Sequence, residues 1–284
     1  MFLKLRFIGI ALVVCALIIS TAYTPSNINC KEILQNSIVA IDKIQTLKFH
    51  LKCNERIKGM LVATESQVKM KTSPRSIYIY LKGPELLWVN GKNNGNALIN
   101  PNGFPFINLS LDPTGSIMRE NQHHTINEVG FKYFAGIIKT YLTTAGEEFD
   151  NFFHCEGIIS FDNTDCWFIT AEYPDFKYID YTVQEGETLV SIAEKLMVSD
   201  YMLLEINSDK GRNYHAIKAG QKIRVPNMYC RKLILYIDKI TFLPRVIKVY
   251  DDKGLFESYE YRNLQVNPNI ADEEFTKEYK GYKF

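Results

Sequence analysis

YTVQEGETLVSIAEKLMVSDYMLLEIN, residues 181–207, and IKAGQKIRVP, residues 217–226, order the reading of this chain. Tyr181, Thr182 and Val183 start it as a short alternating strand. Gly186 turns the chain, and Thr188 stands at a helix N-cap. Leu189, Ile192, Ala193 and Leu196 then recur at helical spacing. A second short helix begins near Ser199, carries Met202, Leu203 and Ile206, and stops at Asn207. After Gly220, residues 222–225 alternate into a closing strand that ends at Pro226. The pattern is strand–helix–helix–strand.

The flanks have a different texture. Residues 29–43 read as a helix with an apolar stripe of Ile33, Leu34, Ile38 and Ile41. Leu47, Phe49, Leu51 and Cys53 alternate with polar residues, which predicts a half-buried strand. Gly59, Ser73-Pro74, Gly83-Pro84 and Asn90-Gly91 then punctuate a run of short strands to about residue 107. Residues 152–161 and 166–173 predict a hairpin around 162–165. Strands follow again at 231–238, 245–250 and 255–266. The meander therefore resumes where it stopped, and 181–226 reads as an insertion between two strands of a host domain formed by 23–180 and 227–284. The expected fold class is mainly antiparallel β with α.

Lys4 and Arg6 precede an apolar run from Phe7 to Ile19, and Ser20-Thr21-Ala22 is a small-residue cleavage site. Residues 1–22 thus read as a signal peptide, with lipid anchoring at Cys15 as the alternative. The net charge of +1, without a basic block, argues against a nucleic-acid partner. Removing Cys15 leaves five cysteines, an odd number with no metal spacing, so buried free thiols are expected.

The loop at 100–123 carries Phe104, Phe106, Leu109 and Leu111, which are expected to be covered by core or ligand. His123-His124 lacks further ligands at helical or strand spacing, so no metal is assigned to it. A helix is expected from Thr125 to about Thr144, with Phe134, Ile137, Ile138 and Tyr141 on its apolar side: a core helix, or a lid over a concavity.

Residues 181–193, 203–207 and 220–226 resemble the LysM module. That resemblance implies binding of peptidoglycan or another N-acetylglucosamine polymer. It points to Gly186, Glu187, Thr188 and Leu189 after the first strand, with Asn207 and Ile217 opposite, and core packing is the alternative role for Leu189 and Ile217. The host resembles the outer-membrane lipoprotein carrier family and related secreted proteins. The resemblance is carried by IDKIQTLKFHL at 41–51, SPRSIYIYLKGPELLWVNG at 73–91, LYIDKITFLPRVIKVYDDKG at 235–254 and NPNIADEEF at 267–275. It implies an unclosed, curved β-barrel whose helices plug a cavity for acyl chains of lipids or lipoproteins. Trp88, Phe104, Phe106, Phe134, Ile137 and Tyr141 are the candidate cavity residues. The expected protein is non-enzymatic, needs no cofactor, and works in the periplasm or envelope of a Gram-negative bacterium. A peptidoglycan-bound scaffold without lipid is the alternative, and a cell-wall hydrolase a more distant one, because no HExxH or GxSxG pattern is present. The sequence leaves the oligomeric state open.

Overall fold

A computed structural model describes residues 29–211 and 213–284. The expected signal peptide lies outside the described residues. No helix among the described residues is long and apolar enough to cross a membrane.

The chain opens with α1 (Cys30–Asp42), β1 (Thr46–Ile57), β2 (Met60–Thr72), β3 (Arg75–Tyr80), β4 (Glu85–Val89), β5 (Ala97–Asn100) and β6 (Leu109–Leu111). Helices α2 (Ser116–Arg119), α3 (Lys132–Thr144) and α4 (Phe149–Phe152) lead to β7 (Phe153–Phe161) and β8 (Thr164–Glu172). Then come β9 (Tyr178–Thr182), α5 (Leu189–Leu196), α6 (Asp200–Ile206) and β10 (Lys222–Pro226). Strands β11 (Lys232–Asp238), β12 (Pro244–Asp251) and β13 (Gly254–Val266) follow.

Eleven strands form one antiparallel sheet in the order β6-β5-β4-β3-β2-β1-β13-β12-β11-β8-β7. Among the described residues, strands β6 and β7 are its two edges and do not pair with each other, so the barrel does not close. Laid flat, eleven strands would span about 50 Å, whereas a 13-residue helix such as α1 or α3 is about 20 Å long. Yet Trp88 on β4, Phe153 on β7, and α1 and α3 share a single apolar core. The sheet must therefore curl around the two helices. The fold class expected from the sequence is the one observed.

Local chemistry explains the elements. The Asn29 Oδ1 accepts from the Lys31 and Glu32 backbone N–H groups and caps α1. Leu47 and Phe49 face the core while His50 faces outward, as period two requires. The β7–β8 turn is tighter than expected. Asp162 and Asn163 both take positive φ, and Phe161 pairs with Thr164. Cys155 therefore opposes Ile169 and Cys166 opposes Ile159. All five described cysteines are free.

Strands β8 and β11 are hydrogen-bonded neighbours, from Lys232–Glu172 to Asp238–Cys166. The chain between them makes a βααβ unit in which β9 and β10 pair as a separate two-stranded sheet. Its first strand begins at Tyr178, earlier than its apolar alternation suggests, because Tyr178 pairs with Pro226. Leu189, Ile192, Leu203, Ile217 and Val225 form the unit's own core. On the outer face of the sheet, Phe275, Tyr282 and Phe284 cover Tyr78 and Leu87, with Tyr282 stacked 3.8 Å from Tyr78.

The helix expected over 125–144 is split. Thr125 and Glu128 form a capping box around a single turn, and α3 starts only at Lys132. Gly130 separates them at φ +99°, and a Cβ there would meet the Met70 Sδ at 2.9 Å. Gly130→Ala is expected to cost about 1–3 kcal/mol, measured by urea denaturation. A neutral substitution would show that this segment has slack.

Candidate functional site at the sheet, lid and βααβ junction

The expected cavity residues divide sharply. Trp88, Phe134, Ile137 and Tyr141 are buried in the main core. The Trp88 Nε1–H donates to the Gly95 carbonyl at 3.0 Å, and the Tyr229 backbone N–H donates to the Tyr141 hydroxyl at 2.6 Å. Phe104 and Phe106 do not join them; they are 87% and 81% exposed. The Asn102 Nδ2 donates to the Gly83 carbonyl at 2.7 Å beside them. The void lined by Ile41, Leu47, Met70 and Phe131, between α1 and the start of α3, measures about 10 Å³. A larger hollow of about 400 Å³ lies on the opposite face, among His50, Lys52, Gln67, Tyr80 and Arg262.

Within the βααβ unit, Leu189 and Ile217 are core residues. Asn207 is buried and fully employed. Its Nδ2 donates to the Leu203 and Arg224 carbonyls, and its Oδ1 accepts the Arg224 N–H. It staples α6 to β10, so its side chain, like those of Leu189 and Ile217, is not presented to a surface ligand. Thr188 caps α5 in exchange with Ser191. Glu187 accepts from the Gln184 N–H, the Tyr181 hydroxyl and the Lys195 Nζ. The Gln184 backbone hydrogen bond, and then Lys195, hold its carboxyl down at about 2. Gly186 makes the turn at φ +78°. The Leu189 N–H donates to the Tyr214 carbonyl at 3.0 Å, tying together the two loops expected to face a sugar.

A third region was not assigned from sequence. Glu55 on β1 pairs in register with Glu257 on β13, and the segment between α2 and α3 brings His123 and His124 onto them. The His123 Nδ1 lies 2.8 Å from a Glu257 carboxylate oxygen, and its Nε2 lies 3.1 Å from the Arg56 carbonyl. Its ring stacks against Tyr201 of α6, at 4.4 Å, and Phe256, at 4.2 Å. His124 bridges Glu257 and Glu128 at 3.2 Å each. The Tyr229 hydroxyl donates to Glu257, and the Tyr259 hydroxyl donates to both Glu55 and Glu257.

The cluster also holds the βααβ unit. Arg56 pairs with Asp251 on β12 and with Glu205 on α6. Arg119 pairs with Asp200 at the start of α6, and its guanidinium lies 3.9 Å from the Tyr214 ring. The Tyr201 hydroxyl accepts the Lys58 N–H. Sheet, α2–α3 segment and βααβ unit therefore meet in one buried polar knot.

Burial alone would raise the Glu257 carboxyl. His124 and His123 outweigh it and hold the carboxyl well below 4.5. Burial also opposes the charge of His124, but Glu257 and Glu128 outweigh it and hold the imidazolium well above 6.5. Stability therefore has two flanks. The His124 contribution is complete below its unfolded value near 6.5 and is lost as pH rises through the higher folded value. The contributions of Glu257 and Glu128 are complete above 4.5 and are lost as pH falls. Asp200, raised by burial despite Arg119, shifts the other way and softens the acid flank. The urea midpoint is expected to be highest between roughly pH 5 and 6.5 and to fall toward alkaline pH. His124→Gln should flatten the alkaline side, and an unchanged slope would remove His124 as its source.

One sequence signal pointed here. The apolar alternation of Leu47, Phe49, Leu51 and Cys53 continues in phase onto Glu55, which places a carboxylate on the core face. Its partners could not be read from spacing, because they come from strands and loops distant in sequence.

The family model described as "Protein of unknown function (DUF1571)" matches residues 44–177 and 187–284. The chain belongs to the DUF1571 family. The second matched segment includes α5, α6 and β10, so most of the βααβ unit lies within the family pattern. No curated protein matches the chain. Solved structures similar to it include a chain of the Pseudomonas aeruginosa MucA/MucB complex, at 10% identity over 87% of this chain and 60% of that one, TM-score 0.41. The Mycobacterium tuberculosis lipoprotein LppX is 10% identical over 87% of this chain and 100% of its own, TM-score 0.37. A LolA superfamily protein from Nitrosomonas europaea is 11% identical over 89% and 99%, TM-score 0.27. The DUF1571 fold itself rests on the strand order and register given above.

Proposed function

We propose that this DUF1571 protein is a non-enzymatic component of the bacterial envelope that holds the acyl chain of a lipid or lipoprotein between its sheet and helices α1 and α3. One observation carries the reading. The apolar face of an unclosed sheet is roofed by two helices, and α3 is flanked by Gly130 and Gly146, both at positive φ. Such a helix can swing aside on two swivels. Each CH₂ that a ligand buries contributes about 0.8 kcal/mol, so one long chain offsets the loss of several helix contacts. Export is in keeping with the apolar N-terminal segment.

The absence of catalysis is part of the proposal. Burial pushes the Cys30 thiol up to about 12 and Cys166 up to about 11, which leaves both protonated and poorly nucleophilic. The LysM resemblance adds a second ligand class: a glycan contacting the backbone of the 184–188 and 213–217 loops. The full-length chain is expected to sediment with purified peptidoglycan; a chain that stays in the supernatant removes this part.

Mass spectrometry of lipid extracted from the purified full-length protein tests the main reading. Co-purified acyl lipid is expected. Lipid-free preparations that also fail to bind an acyl-chain probe would instead favour a scaffold role, which the small void of about 10 Å³ supports.

A further inference from the structure

We infer that Glu55, His123 and Glu257 form a site for one divalent transition-metal ion of the zinc or cobalt type. Their ligand-capable atoms all lie within 4.8 Å of one another, and all three residues are buried. They come from three separate parts of the chain: β1, the segment before α3, and β13. The strand register sets the two carboxylates side by side.

The histidine is oriented as a ligand would be. Its Nε2 faces the Arg56 carbonyl at 3.1 Å, so an Nε2–H donates there, and its Nδ1, 2.8 Å from a Glu257 oxygen, lies where an ion held by that carboxylate would meet it. Metal-bound imidazoles are commonly held by such a hydrogen bond from the second ring nitrogen. Stacking against Tyr201 and Phe256 fixes the ring plane.

Charge supplies an independent argument. The ion pairs of the knot join Arg56 to Asp251 and Glu205, Arg119 to Asp200, and His124 to Glu257 and Glu128; among the described residues none includes Glu55. Glu55 is nonetheless buried and faces a second carboxylate. Its oxygens accept from the His123 backbone N–H at 3.2 Å and the Tyr259 hydroxyl at 2.6 Å, which orients them without neutralising them. A buried carboxylate without a counter-charge among the described residues is a place where a bound cation supplies one. The mixed nitrogen and oxygen donors favour zinc, cobalt, manganese or iron over calcium and magnesium, which take oxygen ligands. A bound ion would tie β1 and β13 to the segment leading into α3, and so couple metal to the lid.

Cobalt(II) titration of the full-length protein, after chelator treatment and dialysis, tests the assignment. One equivalent should produce visible absorption bands, be displaced by zinc, and raise the thermal midpoint. Glu55→Gln preserves side-chain shape and hydrogen-bond acceptance, so it should fold. It should weaken cobalt binding by more than the roughly 10–100-fold typical of a supporting group. His123→Ala should abolish the bands, and His154→Ala, on exposed β7 surface, should leave them intact. A wild-type protein that takes up neither cobalt nor zinc overturns the site. So does binding unchanged in both Glu55→Gln and His123→Ala.

Discussion

Glu257→Ala is expected to destabilise the protein by about 3–5 kcal/mol, because it removes one partner of a buried charged network and strands the other. His123, His124, Tyr229 and Tyr259 all direct polar atoms at this carboxylate. Burial makes each orphaned group costly. Glu257→Gln should lose less, since the amide oxygen still accepts from the two tyrosines; what it gives up is the charge opposite His124. Urea denaturation followed by tryptophan fluorescence measures both, with the wild type and Tyr229→Phe as references. A loss below about 1 kcal/mol for Glu257→Ala would mean that the knot is loosely hydrated, and the charge arguments built on it would fail.

Arg56→Ala should cost a similar amount, about 3–5 kcal/mol, and should act on a different part of the molecule. Its guanidinium is nearly buried and meets Asp251 through two nitrogens, with Glu205 of α6 beside them. The hydrogen bonds to Asp251 raise its affinity for the proton further, so it is a permanent cation here. Alanine would leave Asp251 buried with no counter-charge and cut one of the links to α6. Hydrogen exchange should therefore quicken in α6 and in the 208–217 loop more than in β1–β4. Arg56→Met with Asp251→Leu should recover part of the stability, because an apolar pair replaces the ionic one, while α6 stays loose. Uniform acceleration across the sheet would show instead that Arg56 stabilises the barrel alone.

Local chemistry made much of this fold legible. The alternation at Leu47 and Phe49 and turns such as Asn90-Gly91 mark strands within a few residues of where they lie. The βααβ unit was equally readable, since Thr188 and Ser199 do cap its helices. Gly130 was visible in the sequence, but the apolar period continues through it, and neither its positive φ nor the Met70 side chain that leaves no room for a Cβ there can be read from that period. That Phe104 and Phe106 lie outside the core was not legible, because apolarity says that a ring prefers cover, not which way its loop points. Asn207 and Ile217 matched a motif whose side chains the fold spends on its own cohesion. Beyond the in-phase position of Glu55, the polar knot was not legible, for a different reason. Glu55 and Glu257 become neighbours only through the β1–β13 register, and His123 reaches them from a segment with no regular period of its own.

That register has a kinetic meaning. Strand β1 lies between β2, its hairpin partner, and β13, which pairs with it at a sequence separation of 204 at Asn54 and Ser258. The hairpins from β1 to β5 can form early from local contacts, but β1 keeps one bare edge until β13 arrives. Closing so long a loop is slow, and an exposed strand edge in the interval invites pairing with another chain. The order of strands thus sets a waiting period in which a partly made sheet is sticky. In that period the chain depends on dilution or on chaperones, whatever its final stability.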